Sequence, residues 1–530
     1  MLWAWESKGG GCNQPARIKC SNACPSEIQF QSRIFTGFIE SCEAIPGPPG
    51  PPPEPWTIDA RTHFYYVLPE GTNVCVGMPA SFTAWYIDKK KPTQRKKALS
   101  TWTCVPTNGV TIDPLGPAKT VAVTASLPNI YEVTGTAVAC TSLTDSAQLT
   151  VIKVDLEKCD ENWDPKGGSE DNTTTIRAYV TPNTVKGKFK FTIFGVSDEK
   201  GYCLNAPTNA PSTGEDSDGW KDLQFPAQTG FTISGSNNEI AETTANNLDK
   251  ATVTVKSFDY GSYGKIKAEF TTQDGSLTCT AIEQGGTNEY TTLPRDEDGN
   301  HVRDGASQNS GPGTSTAATD DTDNQPTGKT GDGFTRYEEW RGFVVGGNHT
   351  RLSVTNRNLL AYDEDSIGVG YYASGSGIIV YSIDENEWSG TGKKATDKRI
   401  VNINRETAAS SKQYGLHIID GGSPAGAWGY CWGDPDDTVA LGPPNACWKI
   451  TVETADILAT PTFTQAWVDR TIAHEMGHGT GLPHHSPSKY GGDLCVMLEY
   501  SPFTNQPSPV ATSFCTTTDN CQNKMDVKDP

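Results

Sequence analysis

Between residues 56 and 290 the apolar residues of this chain come in short runs that alternate with polar ones and break at turn formers. The runs at 64–67, 81–86, 120–123, 137–140 and 148–152 fall in one stretch, and those at 175–180, 188–193, 251–256 and 265–270 in the next. A period of two sends successive side chains to opposite faces of a strand, so each run can bury one face and wet the other. Many short strands between turns predict antiparallel sandwiches, one over 56–155 and a second over 156–290. A hydrophobic content of 35%, with 53 Gly and 35 Pro, suits strands joined by polar turns.

At 530 residues the chain is too long for a single ordinary domain. Residues 1–45 hold Cys12, Cys20, Cys24 and Cys42, and residues 46–55 form a proline-rich spacer of polyproline type. The formal net charge of −20 argues against nucleic acid as the main partner. The 15 cysteines point to an oxidising compartment, and an odd count leaves at least one outside any internal pairing. Within the first sandwich Cys75, Cys104 and Cys140 are candidates for an inter-sheet bridge. Candidate pairs further on are Cys203–Cys279, Cys431–Cys447 and Cys515–Cys521. No apolar run reaches the length of a membrane span. The first residues lack the charged-then-apolar form of a signal peptide, so an extracellular or cell-surface location is inferred from the cysteines and modules.

Residues 291–340 gather carboxylates among glycines: Asp296, Asp298, Asp304, Asp320, Asp323, Asp332 and Glu339. Hard cations take several oxygen ligands from flexible loops, so Ca2+ is the expected occupant, with a solvated acidic linker as the alternative. Residues 341–530 hold the chemistry. His474-Glu475-x-x-His478 places two imidazoles on one helical face, and Gly481 lets the chain turn so that His484 returns as a third ligand. Three histidines with an open fourth position match Zn2+, and Glu475 stands where a general base would face metal-bound water. Thr462 and Gln465 have capping-box spacing ahead of this helix. Runs at 343–345, 367–372, 377–382, 399–402, 416–420 and 447–452 are expected to be strands.

The extended motif, followed by Met497 in a short apolar segment, resembles the metzincin clan of zinc endopeptidases. That resemblance implies an α/β (α+β) catalytic domain over 341–530, with a twisted mixed sheet beside the active-site helix and Met497 as the Met-turn. It further implies a secreted endopeptidase with a protein or peptide substrate. Zinc would be held by His474, His478 and His484, with Glu475 as the base. The chain departs from the clan at His485, which fits no common subfamily, and at Glu499 and Tyr500, where a tyrosine ligand is offset by one place. The run at 149–155 resembles the last strand of a bacterial immunoglobulin-like domain, and the tandem resembles modules that hold extracellular enzymes away from a surface. The fold expected is therefore multidomain: two all-β Ig-like sandwiches, then the metzincin-like domain. The competing reading is an adhesin or binding protein on Ig-like modules, attached to a surface or matrix, with a catalytically weak or inactive zinc fold.

Overall fold

The structure is a computed structural model. It describes residues 60, 63–167, 172–198, 203–205, 221–304, 331–353, 355–388, 415–432, 449–484, 495–498, 511–516, 520–525 and 527, with short strand segments at Arg17–Ile18 and Ile28–Gln29. The proline-rich spacer at 46–55, Asp320, Asp323 and the run at 399–402 lie outside the described residues.

The first sandwich packs two sheets over one core. One sheet runs His63–Leu68, Pro79–Asp88, Thr120–Ala125, Val110–Asp113, all antiparallel, with Arg95–Lys97 pairing on Pro79–Asp88. The other holds Ser100–Val105, Asn129–Ala137 and the first part of Thr144–Leu156, with Gly71–Cys75 added in parallel. Strict alternation explains the packing: Tyr65, Val67, Phe82, Ala84 and Tyr86 point inward, and their neighbours face solvent. The run at 137–140 is a turn after the strand Asn129–Ala137, closed by the Cys140 amide donating to the Ala137 carbonyl.

The strand Thr144–Leu156 is 13 residues long and serves both sandwiches. Its first part pairs with Asn129–Ala137, and Lys153–Leu156 pairs with Thr173–Thr181 of the second sandwich. Parity makes this possible. Ala147, Leu149 and Val151 enter the first core, whereas Ile152, Val154 and Leu156, of opposite parity, enter the second. A strand covered first on one face and then on the other loses its alternation at the crossing, and Leu149 to Ile152 are all buried. The second sandwich completes this sheet with Lys250–Ser257 and Leu223–Gln224. It closes over Gly187–Phe194, Gly264–Thr272 and shorter neighbours, around Phe189, Phe191 and Phe270.

Cysteine pairing differs from expectation. Cys75 bonds Cys279, 204 residues away, not Cys104 or Cys140, and so Cys203 is not the partner of Cys279. The physical reason is the shared strand: Gly71–Cys75 lies beside its crossing, and Thr278–Thr280 comes up against the same point from the other sandwich. Cys104 is a free buried cysteine, its thiol pushed up to about 11 by burial. Cys140 and Cys431 are disulfide-bonded, and Cys447 lies outside the described residues.

The C-terminal region is built on a five-stranded mixed sheet in the order Ile379–Ser382, Asn358–Asp363, Gly415–Asp420, Lys449–Val452, Gly429–Trp432. The first three pairings are parallel and the last is antiparallel. One expectation fails here, and one strand went unread. The run at 367–372 leads into the helix Gly370–Ser376, not a strand. The strand Asn358–Asp363, second in this sheet, went unread although Leu359 to Tyr362 form a short apolar run. A helix at Arg336–Arg341 stands in the stretch expected to be a calcium loop. Thr335 and Glu338 cap it reciprocally, a signature present in the sequence. This helix joins the region to the second sandwich: the Arg341 guanidinium grips the Asp259 carboxylate at 2.7 Å, both buried, and Tyr337 Oη donates to the Gly261 carbonyl.

Candidate metal centre

The longest helix among the described residues, Gln465–Gly479, carries the site. It begins after Thr464 rather than through a capping box from Thr462, whose φ of 81° lies in the left-handed region. Trp467, Val468, Ile472, Ala473 and Met476 are buried in the core shared with the sheet. His474 and His478, four apart, then share a face. Gly481 turns the chain at φ 86°, the Leu482 amide donates to the Gly477 carbonyl, and His484 swings back to the pair.

The three imidazoles converge. His474 Nε2 lies 3.2 Å from His478 Nε2 and 3.0 Å from His484 Nε2. Three nitrogens on one tetrahedral Zn2+ would be about 3.3 Å apart, close to these separations. The opposite ring nitrogens fix the tautomers of the helical pair. His474 Nδ1 donates to the Val496 carbonyl at 2.8 Å and His478 Nδ1 to the Leu482 carbonyl at 2.7 Å, leaving both Nε2 lone pairs aimed inward. Burial, then the neighbouring rings, hold His474 well below its ordinary pKa, and burial with His484 lowers His478 to about 4. Neutral imidazole is the ligating form, so the donor set fits zinc.

Glu475 is buried beside the histidines, and burial raises its carboxyl to about 8 against the opposing pull of Arg470. The edge strand Gly429–Trp432 approaches so closely that a Cβ on Gly429 would stand 2.7 Å from Glu475 Cγ. Met497 lies fully buried beneath the helix, and a Cβ on Gly477 would meet its Sδ at 2.3 Å. Gly477 thus admits Met497, and Gly479 likewise admits Leu416. Arg470, not singled out by sequence, donates from Nη2 to the carbonyls of Val496 (3.1 Å) and Leu498 (2.7 Å). It pins the segment whose Val496 orients His474.

The acidic residues divide into two groups. Ligand oxygens of Asp296, Asp298 and Asp304 lie within 4.8 Å of one another. The Asp296 carboxylate accepts the amides of Gly299 (2.7 Å) and His301 (2.8 Å), while burial, then Asp298, raise it to about 6. Asp332 and Glu339 are elsewhere, both buried and both accepting from the Asn358 side-chain amide (2.9 and 2.8 Å). These two serve the junction of the helix Arg336–Arg341 with the strand Asn358–Asp363 rather than joining the acidic loop.

No family model matches the chain, and no curated protein matches it. Among solved structures, the chain is similar to the Yersinia pseudotuberculosis adhesin InvE at 14% identity, covering 42% of this chain and 58% of that one, TM-score 0.16. It is similar to the Escherichia coli adhesin FdeC at 15% identity, covering 40% and 60%, TM-score 0.22. The human F-spondin reeler domain is matched at 9% identity over 27% of this chain and 86% of that one, TM-score 0.16. The chain spans about three fifths of the length of the two adhesin structures. Likeness at these scores carries over no ligand or partner.

The metzincin assignment, and with it endopeptidase activity, is corrected. Strands and sandwiches dominate the described residues, and of their helices only Gln465–Gly479 exceeds seven residues. What the chain presents is a β-sandwich protein with a mixed-sheet C-terminal unit. No helix among the described residues is long and apolar enough to cross a membrane.

Proposed function

We propose that this chain is an extracellular or cell-surface binding protein of the adhesin kind, in which two fused sandwiches carry a C-terminal unit holding zinc. The observation that carries this reading is the continuous joint. One strand belongs to both sandwiches, Cys75–Cys279 closes the same junction, and a buried ion pair fastens the C-terminal unit to the second sandwich. A joint of this kind suits a module that presents a binding face away from a surface. Disulfide bonding fits the oxidising compartment that the reading requires.

His474, His478 and His484 would hold the zinc, and Glu475 is buried beside them. When bound, zinc supplies a Lewis-acidic centre that accepts an oxygen or nitrogen donor. The chain's own residues order that centre: Val496 and Leu482 set the tautomers, Arg470 pins the segment 496–498, and Met497 fills the floor. Calcium at Asp296, Asp298 and Asp304 is the second cofactor of this reading, checked by calorimetric titration against an Asp296→Asn/Asp298→Asn variant.

The test measures zinc content and hydrolysis together. Wild type is expected to carry one zinc, His474→Ala/His478→Ala none, and neither to cleave casein or a broad peptide library. Cleavage by wild type that Glu475→Ala abolishes, with zinc retained, would overturn the binding reading. Absence of zinc from wild type grown in zinc-replete medium would overturn the metal centre.

A further inference from the structure

The outer face of the first sandwich bears a cationic patch that the zinc centre does not use. Residues 89–97 include Lys89, Lys90, Lys91, Arg95, Lys96 and Lys97, in a chain whose formal net charge is −20. Lys90, Lys91, Arg95 and Lys97 are exposed. Strand register sets them among aromatic rings. Trp85 lies opposite Tyr66 on one side and Lys97 on the other, and Ile87 lies opposite Phe64 and Arg95. Residues of this parity share the outer face, because those of the other parity, Tyr65, Val67, Ala84 and Tyr86, fill the core. Two rows result: Tyr66, Trp85, Lys97 and Phe64, Ile87, Arg95.

The cations are held over the rings. The Arg95 guanidinium lies 4.7 Å and Lys97 Nζ 5.7 Å from the Trp85 ring centre, and Lys89 Nζ lies 5.1 Å from that of Phe64. Phe64 is 38% exposed. Among the described residues no carboxylate pairs with Lys90, Arg95 or Lys97. The nearest acid in sequence, Asp88, accepts the Lys90 backbone amide. Like charges gathered on one hairpin repel one another, a standing cost that a polyanion relieves.

We propose that this face binds an acidic polysaccharide bearing sulfate or carboxylate groups. Arg95 and Lys97 stand about 7 Å apart along one strand, so they meet successive anionic groups rather than one. The guanidinium fork takes an oxyanion through two parallel hydrogen bonds. Tyr66, Trp85 and Phe64 supply flat apolar ground for the sugar rings between the charges. A single-stranded nucleic acid would use the same cations and rings. The choice of polysaccharide over nucleic acid rests on the extracellular reading above, and the patch itself does not.

The test is titration of a fluorescent heparin fragment with the full chain at about 50 and 150 mM salt, where release of counterions from about three contacts should weaken binding roughly tenfold. Lys90→Gln/Arg95→Gln/Lys97→Gln is expected to lose at least tenfold in affinity. Lys186→Gln/Lys188→Gln/Lys190→Gln, which removes the same charge from the second sandwich, should keep wild-type affinity. Retention of the wild-type thermal transition and circular dichroism spectrum by both variants shows that folding is intact. No binding by wild type, or equal loss in the two variants, overturns the patch. Tighter binding of single-stranded DNA than of heparin overturns the polysaccharide, while the adhesin reading stands or falls on the zinc and hydrolysis test. None of these outcomes depends on the metal centre.

Discussion

The junction between the second sandwich and the C-terminal unit hangs on Arg341 and Asp259, and its removal is the sharpest test of how the chain is held together. The two side chains are 1% and 0% exposed and meet at 2.7 Å, with Arg341 Nε also donating to Asp259 Oδ1 at 3.0 Å. Burial disfavours the guanidinium charge, but the Asp259 carboxylate more than offsets it and raises the Arg341 pKa. Asp259→Ala leaves that charge buried without its counter-ion, and Arg341→Met strands the carboxylate. Each should destabilise the junction by about 3–5 kcal/mol. Asp259→Leu/Arg341→Met removes both charges and should be less destabilised than either single variant, since neither charge is left uncompensated. The assay is hydrogen exchange by mass spectrometry on residues 336–345 and 257–263, with denaturant unfolding alongside, because a chain of several units need not unfold in one step. Losses that simply add in the double variant, or single losses below about 1 kcal/mol, would refute the claim that the pair fastens the two units.

Three further outcomes are expected. Cys75→Ser/Cys279→Ser opens a link across 204 residues, which chain entropy values at up to about 5 kcal/mol; calorimetry should show the sandwich transition falling, and an unchanged transition would mean the shared strand alone suffices. His349, stacked on Tyr260 and facing Arg351 and Lys166, is lowered to about 4, first by burial. Its folded pKa lies below the unfolded value, so the stability from keeping it neutral is complete above about pH 6.5 and is lost as pH falls toward 4, by about 3 kcal/mol in all. His349→Gln should flatten stability over that window in acid unfolding, and an unchanged slope would refute it. Gly477→Ala places a methyl against Met497 Sδ and should destabilise the chain by about 1–3 kcal/mol, with Met497→Ala restoring part of the loss in a thermal melt.

Period-two alternation was enough to read both sandwiches, because each strand there buries only one face. It could not show that residues 144–156 are a single strand in two sandwiches, since the inward parity reverses between Val151 and Ile152 and neither half looks unusual alone. Cys75–Cys279 was hidden for the same reason. Its geometry exists only once that crossing is formed, and spacing along the chain favours nearer partners. The segment 331–341 misled in another way. Asp332 and Glu339 have the spacing of cation ligands, but Thr335 and Glu338 form a capping box that commits the stretch to helix and turns both acids toward Asn358.

At the histidine cluster the sequence showed the three imidazoles and concealed what orders them. His474, His478 and His484 could be read because helical spacing and one glycine turn bring them together whatever surrounds them. Arg470 could not, since an arginine one turn before a ligand is ordinary on any helix, and its role depends on two carbonyls far downstream at Val496 and Leu498. Those carbonyls connect the parts. Arg470 holds the segment, Val496 within it fixes the tautomer of His474, and Met497 between them packs into the space Gly477 leaves open. Arg470→Met should therefore weaken zinc retention against a chelator while sparing all three ligands, by about the 10- to 100-fold typical of groups that orient metal ligands. Retention equal to wild type would show that the helix alone orders the histidines and that segment 496–498 merely packs beneath it.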